Sequence, residues 1–232
     1  MITAVLSDIH GRLDAFLTVL EDPAFGSADR VFFLGDLSGY GPEPEKCGRL
    51  WLTVRERIPT LSVAGNHELL VSGRLSANGF SRSAADSHAA EDSGLSDKVR
   101  KAFADLPLTA TADDAFVCHG SPTDTCEYLD SPASVRNALE TTGGYGWLFA
   151  GHTHVPAVWD GHRLLRPRKE EESFRFEGSG PFFLNPGSVG QPRDGRTGAS
   201  YCLWNDTART ALFRCVPVDK IRNRKKARKN DE

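Results

Sequence analysis

The 232-residue chain has no long hydrophobic run: its apolar stretches, VFFL and YCLW among them, stop far short of the ~20 residues needed to span a bilayer. Membrane insertion is therefore not expected. Its first residues, MITAVLSDIH, lack the basic region and apolar core of a secretory leader, so secretion is not expected either. Cysteine is scarce and unpatterned. The set Cys47, Cys118, Cys126, Cys202 and Cys215 is odd in number and contains no CxxC spacing, which disfavours a disulfide framework or a zinc site. Free thiols in a reducing compartment fit better, and the expected location is the cytoplasm. There is no GxSxG elbow, Walker A loop or GxGxxG fingerprint, so serine hydrolase, P-loop NTPase and dinucleotide oxidoreductase are disfavoured. Global basic excess is missing too: 28 Lys and Arg stand against 31 Asp and Glu, a net charge of −3.

What is present is an ordinary globular composition, 39% apolar, 25% charged and 9% aromatic, which excludes disorder, collagen and coiled coil. Charge is unevenly placed. Residues 220–232 hold seven basic and two acidic side chains, a +5 tail that leaves −8 on the remainder. This tail is expected to be a disordered solubilising end, with contact to nucleic acid or an acidic membrane surface as its alternative.

Short β-branched and aromatic runs alternate with amphipathic stretches over the first seventy residues, the pattern of strand and helix units around a sheet. Strands are expected at 2–7, 31–34 and 61–64, and helices at 12–21 and 45–57. The Ser- and Ala-rich stretch 72–96 is expected to form short surface helices, followed by a stronger helix over 96–106. Beyond Pro107 the pattern predicts strands at 108–111, 115–118, 147–150, 155–159, 163–166, 174–177, 182–184, 200–205 and 210–216, with one helix at 134–141. Together these suggest an α/β fold, a four-layer αββα sandwich of two facing mixed β-sheets flanked by helices. Residues 1–219 are expected to form its single domain, because the candidate site residues are spread from Asp8 to His154 and must converge.

Metal-ligand residue types recur at the C-terminal ends of predicted strands, the edge where α/β folds place ligands. The segments are Asp8-Ile9-His10-Gly11, Gly35-Asp36, Gly65-Asn66-His67-Glu68, His119-Gly120 and Gly151-His152-Thr153-His154. Each sets a ligand beside glycine, where the backbone can turn sharply and approach an ion. Five of the seven histidines fall inside these segments. Carboxylate, imidazole and amide oxygen without thiolate suit borderline or hard divalent ions: manganese first, with iron, nickel, zinc or magnesium as alternatives. Seven candidate ligands are too many for one open catalytic ion, and two ions sharing a carboxylate and a hydroxide would suit phosphoryl chemistry. Asp36, central and flanked by Gly35, is the natural bridge.

This pattern, DxH, GD, GNH[DE], H and GHxH in order, resembles that of the calcineurin-like metallophosphoesterase superfamily, and the resemblance spans roughly residues 1–216. The segments GDLSGYGPEP at 35–44, HGSP at 119–122, GHTHVP at 151–156 and NPGSVGQPRDG at 185–195 look like its small bacterial and archaeal phosphodiesterase-like branch. The resemblance implies one metal held by Asp8, His10 and His154, a second by Asn66, His119 and His152, and Asp36 bridging. It further implies that His67 faces the substrate, protonating the leaving oxygen or stabilising phosphoryl charge, while a metal-bridging hydroxide attacks phosphorus in line. Protein phosphatases of the superfamily carry GDxVDRG and RGNHE, where arginines clamp phosphate and an aspartate orients the histidine. Here those positions hold Gly39-Tyr40-Gly41 and Ala64, although Glu68 matches the phosphatase form. A dianionic monoester benefits most from such a clamp. A phosphodiester small molecule or nucleotide is therefore the favoured substrate, with Arg12 and Arg193 as candidate clamps from elsewhere. The alternatives are a phosphomonoesterase or protein phosphatase, and a non-catalytic metal-stabilised scaffold.

Other residues receive plainer readings. Cys118 is expected in the core, His88 and His162 on the surface, and residues 185–188 in a turn supporting the site floor. Tyr40 could stack on a nucleobase or simply pack.

Overall fold

Strand β1 (Ile2–Leu6) sends alternate side chains to opposite faces, as the two-residue period of a strand requires. Ala4 and Leu6 join one apolar cluster and Val5 another. A computed structural model gives the fold over residues 1–76 and 94–218. Within it, α1 (Leu13–Leu20), β2 (Arg30–Phe33), α2 (Pro44–Arg57), β3 (Thr60–Ser62), α3 (Asn66–Val71) and α4 (Asp97–Ala104) complete the first half. The second half holds β4 (Thr109–Ala112), β5 (Ala115–Cys118), α5 (Pro132–Glu140), β6 (Trp147–Phe149) and β7 (Ala157–Trp159). Then come β8 (Leu164–Leu165), β9 (Glu171–Arg175), β10 (Phe182–Asn185), β11 (Ala199–Asn205) and β12 (Thr210–Val216).

The strands form two six-stranded mixed sheets, ordered β3-β2-β1-β11-β12-β9 and β4-β5-β6-β10-β7-β8. Strands β1, β2 and β3 run parallel in the first sheet, and β5, β6 and β10 in the second. The sheets pack face to face through aromatic side chains: Phe32 lies 5.6 Å from Phe149, and Trp204 lies 4.9 Å from Phe149 and 5.1 Å from Trp147, ring centre to ring centre. Outside the first sheet, Phe16, Trp51 and Phe103 of α1, α2 and α4 cover Val31 and Phe33. Outside the second, Val135 and Leu139 of α5 cover Leu148 and Phe183. The expected αββα layering is what the chain adopts.

Three expectations change. The strand sought at 174–177 is β9, three residues earlier; its EESFR sequence leaves Glu171, Ser173 and Arg175 exposed, as suits an edge strand, and gives little apolar signal. The strand sought at 163–166 shrinks to the two residues of β8. Helix α3, not anticipated as a helix, is buried on every residue, so it shows no polar face from which a helical period could be read. Most of the surface helices expected over 72–96, together with His88 and the basic tail, lie outside the described residues.

Candidate metal centre

Because β1, β2 and β3 are parallel in one sheet and β5, β6 and β10 in the other, their C-terminal ends deliver loops to one edge of the sandwich. Asp8 and His10 follow β1, Asp36 follows β2, Asn66 and His67 open α3 after β3, His119 follows β5, and His152 and His154 follow β6. All eight are buried. Five of them hold left-handed backbone: Asp8 (φ 55°), His10 (φ 49°), Asp36 (φ 57°), His152 (φ 64°) and His154 (φ 59°). Such conformations are costly away from glycine and persist where the surroundings over-determine them. Here interlocked backbone hydrogen bonds do so: Asp8 N–H donates to Gly35 O at 3.0 Å and His10 N–H to Asp36 O at 2.9 Å.

Four imidazoles have one ring nitrogen committed to a backbone carbonyl. His10 Nδ1 pairs with Ser38 O (2.9 Å), His119 Nδ1 with Leu34 O (2.6 Å), His154 Nδ1 with Gln191 O (2.6 Å) and His152 Nε2 with Cys126 O (3.1 Å). A carbonyl only accepts, so these nitrogens carry the protons and the opposite nitrogens turn inward. Inward, His10 Nε2 faces His154 Nε2 at 3.0 Å, and His119 Nε2 faces His152 Nδ1 at 3.1 Å and Asn66 Oδ1 at 3.2 Å. Acceptors brought this close need a cation between them, a proton or a metal ion. Asp8 Oδ1 adds to the demand, being buried with no hydrogen-bond partner.

Two groups of donors, Asp8 with His10 and His154, and Asp36 with His119 and His152, are linked by a third, His10 and Asp36 with His67; within each the atoms lie within 4.8 Å of one another. Asp36 Oδ2 is 3.2 Å from His119 Nε2 and 3.7 Å from His10 Nε2, so one carboxylate reaches both groups. This buried all-nitrogen-and-oxygen set fits a dinuclear metal site. Burial alone would raise the Asp8 and Asp36 carboxyls, but neighbouring imidazoles hold both below the ordinary carboxylate range. Burial pushes His10 down to about 3 and His152 to about 4, which keeps both imidazoles neutral and ready to ligate.

His67 stands at the same edge. Its ring lies 5.0 Å from that of His10 and 4.9 Å from that of Tyr40, and its backbone N–H donates to Asp36 Oδ1 at 3.0 Å. Burial lowers its pKa. Gly39 (φ +94°) lets this ring in, since a Cβ there would stand 2.3 Å from His67 Nδ1. Tyr40 packs on His10 and His67.

The Asn185-Pro186-Gly187-Ser188 turn braces the floor, as expected. Asn185 Nδ2 donates to Gly151 O at 2.7 Å and Thr153 Oγ1 at 3.0 Å, while Ser188 Oγ donates to Asp8 O at 2.7 Å. Cys118 is buried and its thiol pushed far up by burial; His162 is exposed on the turn after β7. Of the candidate clamps, Arg12 is held by both oxygens of Asp14, at 3.0 Å each. Two contributors were not anticipated. Glu68 gathers four backbone N–H groups of the Asp36 and Gly65 loops, and Tyr128 stacks on His152 with ring centres 4.4 Å apart. The backbone carbonyls that orient the imidazoles have no side-chain signature at all.

A model of the calcineurin-like phosphoesterase superfamily domain matches residues 1–208. An uncharacterized protein of Methanocaldococcus jannaschii is 33% identical over 212 residues, which is 88% of this chain and 82% of that protein. The crystal structure of a metallophosphoesterase from Sphaerobacter thermophilus aligns with a TM-score of 0.80 at 32% identity, covering 93% of this chain and 88% of that one. A hypothetical protein from Pyrococcus horikoshii shares the fold at a TM-score of 0.77 and 18% identity, over 98% of this chain and 93% of its own.

Proposed function

Because the chain belongs to the calcineurin-like phosphoesterase superfamily, we propose that it is a dinuclear-metal phosphodiesterase, with manganese as the first candidate ion. One observation carries the diester reading: the loop after Asp36 offers Gly39-Tyr40-Gly41 instead of arginine, and Arg12, one of the two candidate clamps, is paired with Asp14. A singly charged diester needs such a clamp less.

In this reading Asp8, His10 and His154 would hold one ion and Asn66, His119 and His152 the other, with Asp36 shared between them. Divalent ions there supply acidified water as nucleophile and neutralise phosphoryl charge. The carbonyls of Ser38, Leu34, Gln191 and Cys126 keep each imidazole in the tautomer that presents a lone pair inward. His67, held by its backbone bond to Asp36 and by the packing of Tyr40, faces the substrate with a ring N–H that can be donated to the leaving oxygen. The products are a phosphomonoester and an alcohol. Free thiols, four of five buried, support a reducing compartment, and we place the enzyme in the cytoplasm.

The test is a panel of aryl phosphodiester and aryl phosphomonoester assayed with Mn²⁺, Ni²⁺, Fe²⁺ and Mg²⁺ in parallel. The diester should be the better substrate. Asp36→Asn should lose metal and activity together, whereas His67→Ala should keep its metal and lose about 10²–10⁴-fold in kcat. Faster monoester turnover would overturn the diester preference, and full metal occupancy without turnover of either ester would favour a binding protein.

A further inference from the structure

Two adjoining cavities, of about 290 and 360 Å³, open beside the metal centre and share Val155, Arg166 and Arg193 in their walls. Such volumes lie in the range of small-molecule sites. They adjoin the loop that carries His152 and His154. Thr153, between His152 and His154, lines the first cavity, as does Tyr128, whose ring stacks on His152. Arg193 ties the second wall to the same loop: its backbone N–H donates to His154 O at 3.2 Å and its guanidinium to Tyr128 OH at 3.3 Å.

The groove is basic on an acidic body. Four arginines and two aspartates line the two cavities. Arg196 is cancelled by Asp194, paired at 2.5 Å with both side chains largely buried. Arg166 and Arg193 are not cancelled: among the described residues their guanidiniums donate to neutral oxygens, Arg166 to Asp130 O at 3.3 Å and Arg193 to Tyr128 OH and Gln191 Oε1. Both side chains are exposed, with N–H groups left over for a ligand. Between them the floor is apolar, formed by Leu129, Ala157 and Leu164.

We propose that this groove binds the organic arm of the diester substrate and that the arm ends in a second phosphate, as in a nucleoside bisphosphate ester. The inference rests on the phosphodiesterase reading and narrows its substrate class. Arg166 and Arg193 take the terminal phosphate through charge-assisted hydrogen bonds, while the aliphatic floor and the Tyr128 ring take the flat part of the arm. The arginines are thus specificity residues for the distal phosphate, and the scissile phosphorus stays with the metal centre.

Two chromogenic diesters that differ only in the distal anion make the test: thymidine 5′-(p-nitrophenyl phosphate) with and without a 3′-phosphate, on the metal-loaded protein. The 3′-phosphate should lower KM by about tenfold or more, the factor of one hydrogen bond to a charged group, with little change in kcat. Arg166→Ala and Arg193→Ala should each remove most of that preference, and Arg166→Glu should invert it, with metal content confirming that each variant is folded. Equal kcat/KM for the two esters in the parent protein, or a preference that survives in the double alanine variant, would overturn the groove. Failure to hydrolyse either ester would count against the phosphodiesterase reading alone. Calorimetry with thymidine 3′,5′-bisphosphate against thymidine 5′-phosphate then still decides the groove, since only tighter binding of the bisphosphate, abolished in the double variant, agrees with it.

Discussion

Glu68 shows how much of the centre depends on a residue that touches no candidate ligand side chain. Its Oε2 accepts from Asp36 N–H at 2.7 Å and Gly65 N–H at 2.9 Å, and its Oε1 from Leu37 N–H at 2.9 Å and Ser38 N–H at 3.1 Å. One carboxylate therefore fastens the loop carrying Asp36 to the start of α3, which carries Asn66 and His67. Close contact with Asp36 requires glycine at 65, where a Cβ would fall 2.1 Å from Asp36 Oδ1. Glu68→Gln is close in volume, yet either orientation of its amide sets an NH₂ group against two backbone donors. The variant should lose about 2–3 kcal/mol in urea unfolding of the metal-free protein, and its metal content should fall. An unchanged unfolding midpoint would show that the carboxylate is not needed there. In the sequence Glu68 is visible only as the fourth letter of GNHE. The ligand-type residues are legible because aspartate, asparagine and histidine recur beside glycine at five strand ends in order, whereas a carboxylate satisfied by main-chain N–H groups looks like any glutamate on a helix.

Elements carry the centre because parallel strands release their loops at one edge, and the two sheets must stay in register for the loops after β1 and β6 to meet. The contact that locks them is aromatic. Phe149, fully buried on β6, touches Phe32 of β2 and Trp204 of β11 across the interface, three residues before His152. Phe149→Ala opens a cavity between the sheets and should cost about 3–5 kcal/mol, read as a lowered denaturant midpoint with little change in slope. A loss below about 1 kcal/mol would mean the sheets close over the gap. The strands of this interface were legible, since VFF, WLF and YCLW are apolar runs too short to be anything but buried strands or helix fragments. The pattern places strand β9 three residues late and gives no helix at α3. One is an edge strand dominated by charge, and the other is a fully buried turn and a half whose first residues serve the site rather than the helix.

At the scale of the whole molecule, part of the −8 carried by residues 1–219 is concentrated in the candidate centre, where Asp8 and Asp36 converge with four inward-facing imidazoles. In the metal-free protein a proton sits among them. Burial opposes charge on His119, but Asp36 and Asp8, with the Leu34 carbonyl, outweigh it and push this histidine up to about 9. His10 and His152, at about 3 and 4, stay neutral. Between its ordinary 6.5 and about 9, then, His119 is charged in the folded metal-free protein and neutral in the unfolded chain. Its contribution to stability is complete below 6.5 and is lost as pH rises through 9, so the metal-free protein should become easier to unfold over that window. Ligation requires neutral imidazole, so metal binding must expel this proton. Calorimetric titration with Mn²⁺ at about pH 7.5, in two buffers of different ionisation enthalpy, should therefore report release of about one proton, falling toward zero above pH 9. His119→Ala should abolish the release. A release absent at pH 7.5 would mean that His119 is already neutral before the metal arrives, and one that persists undiminished at pH 10 would mean that the expelled proton sits on a different group.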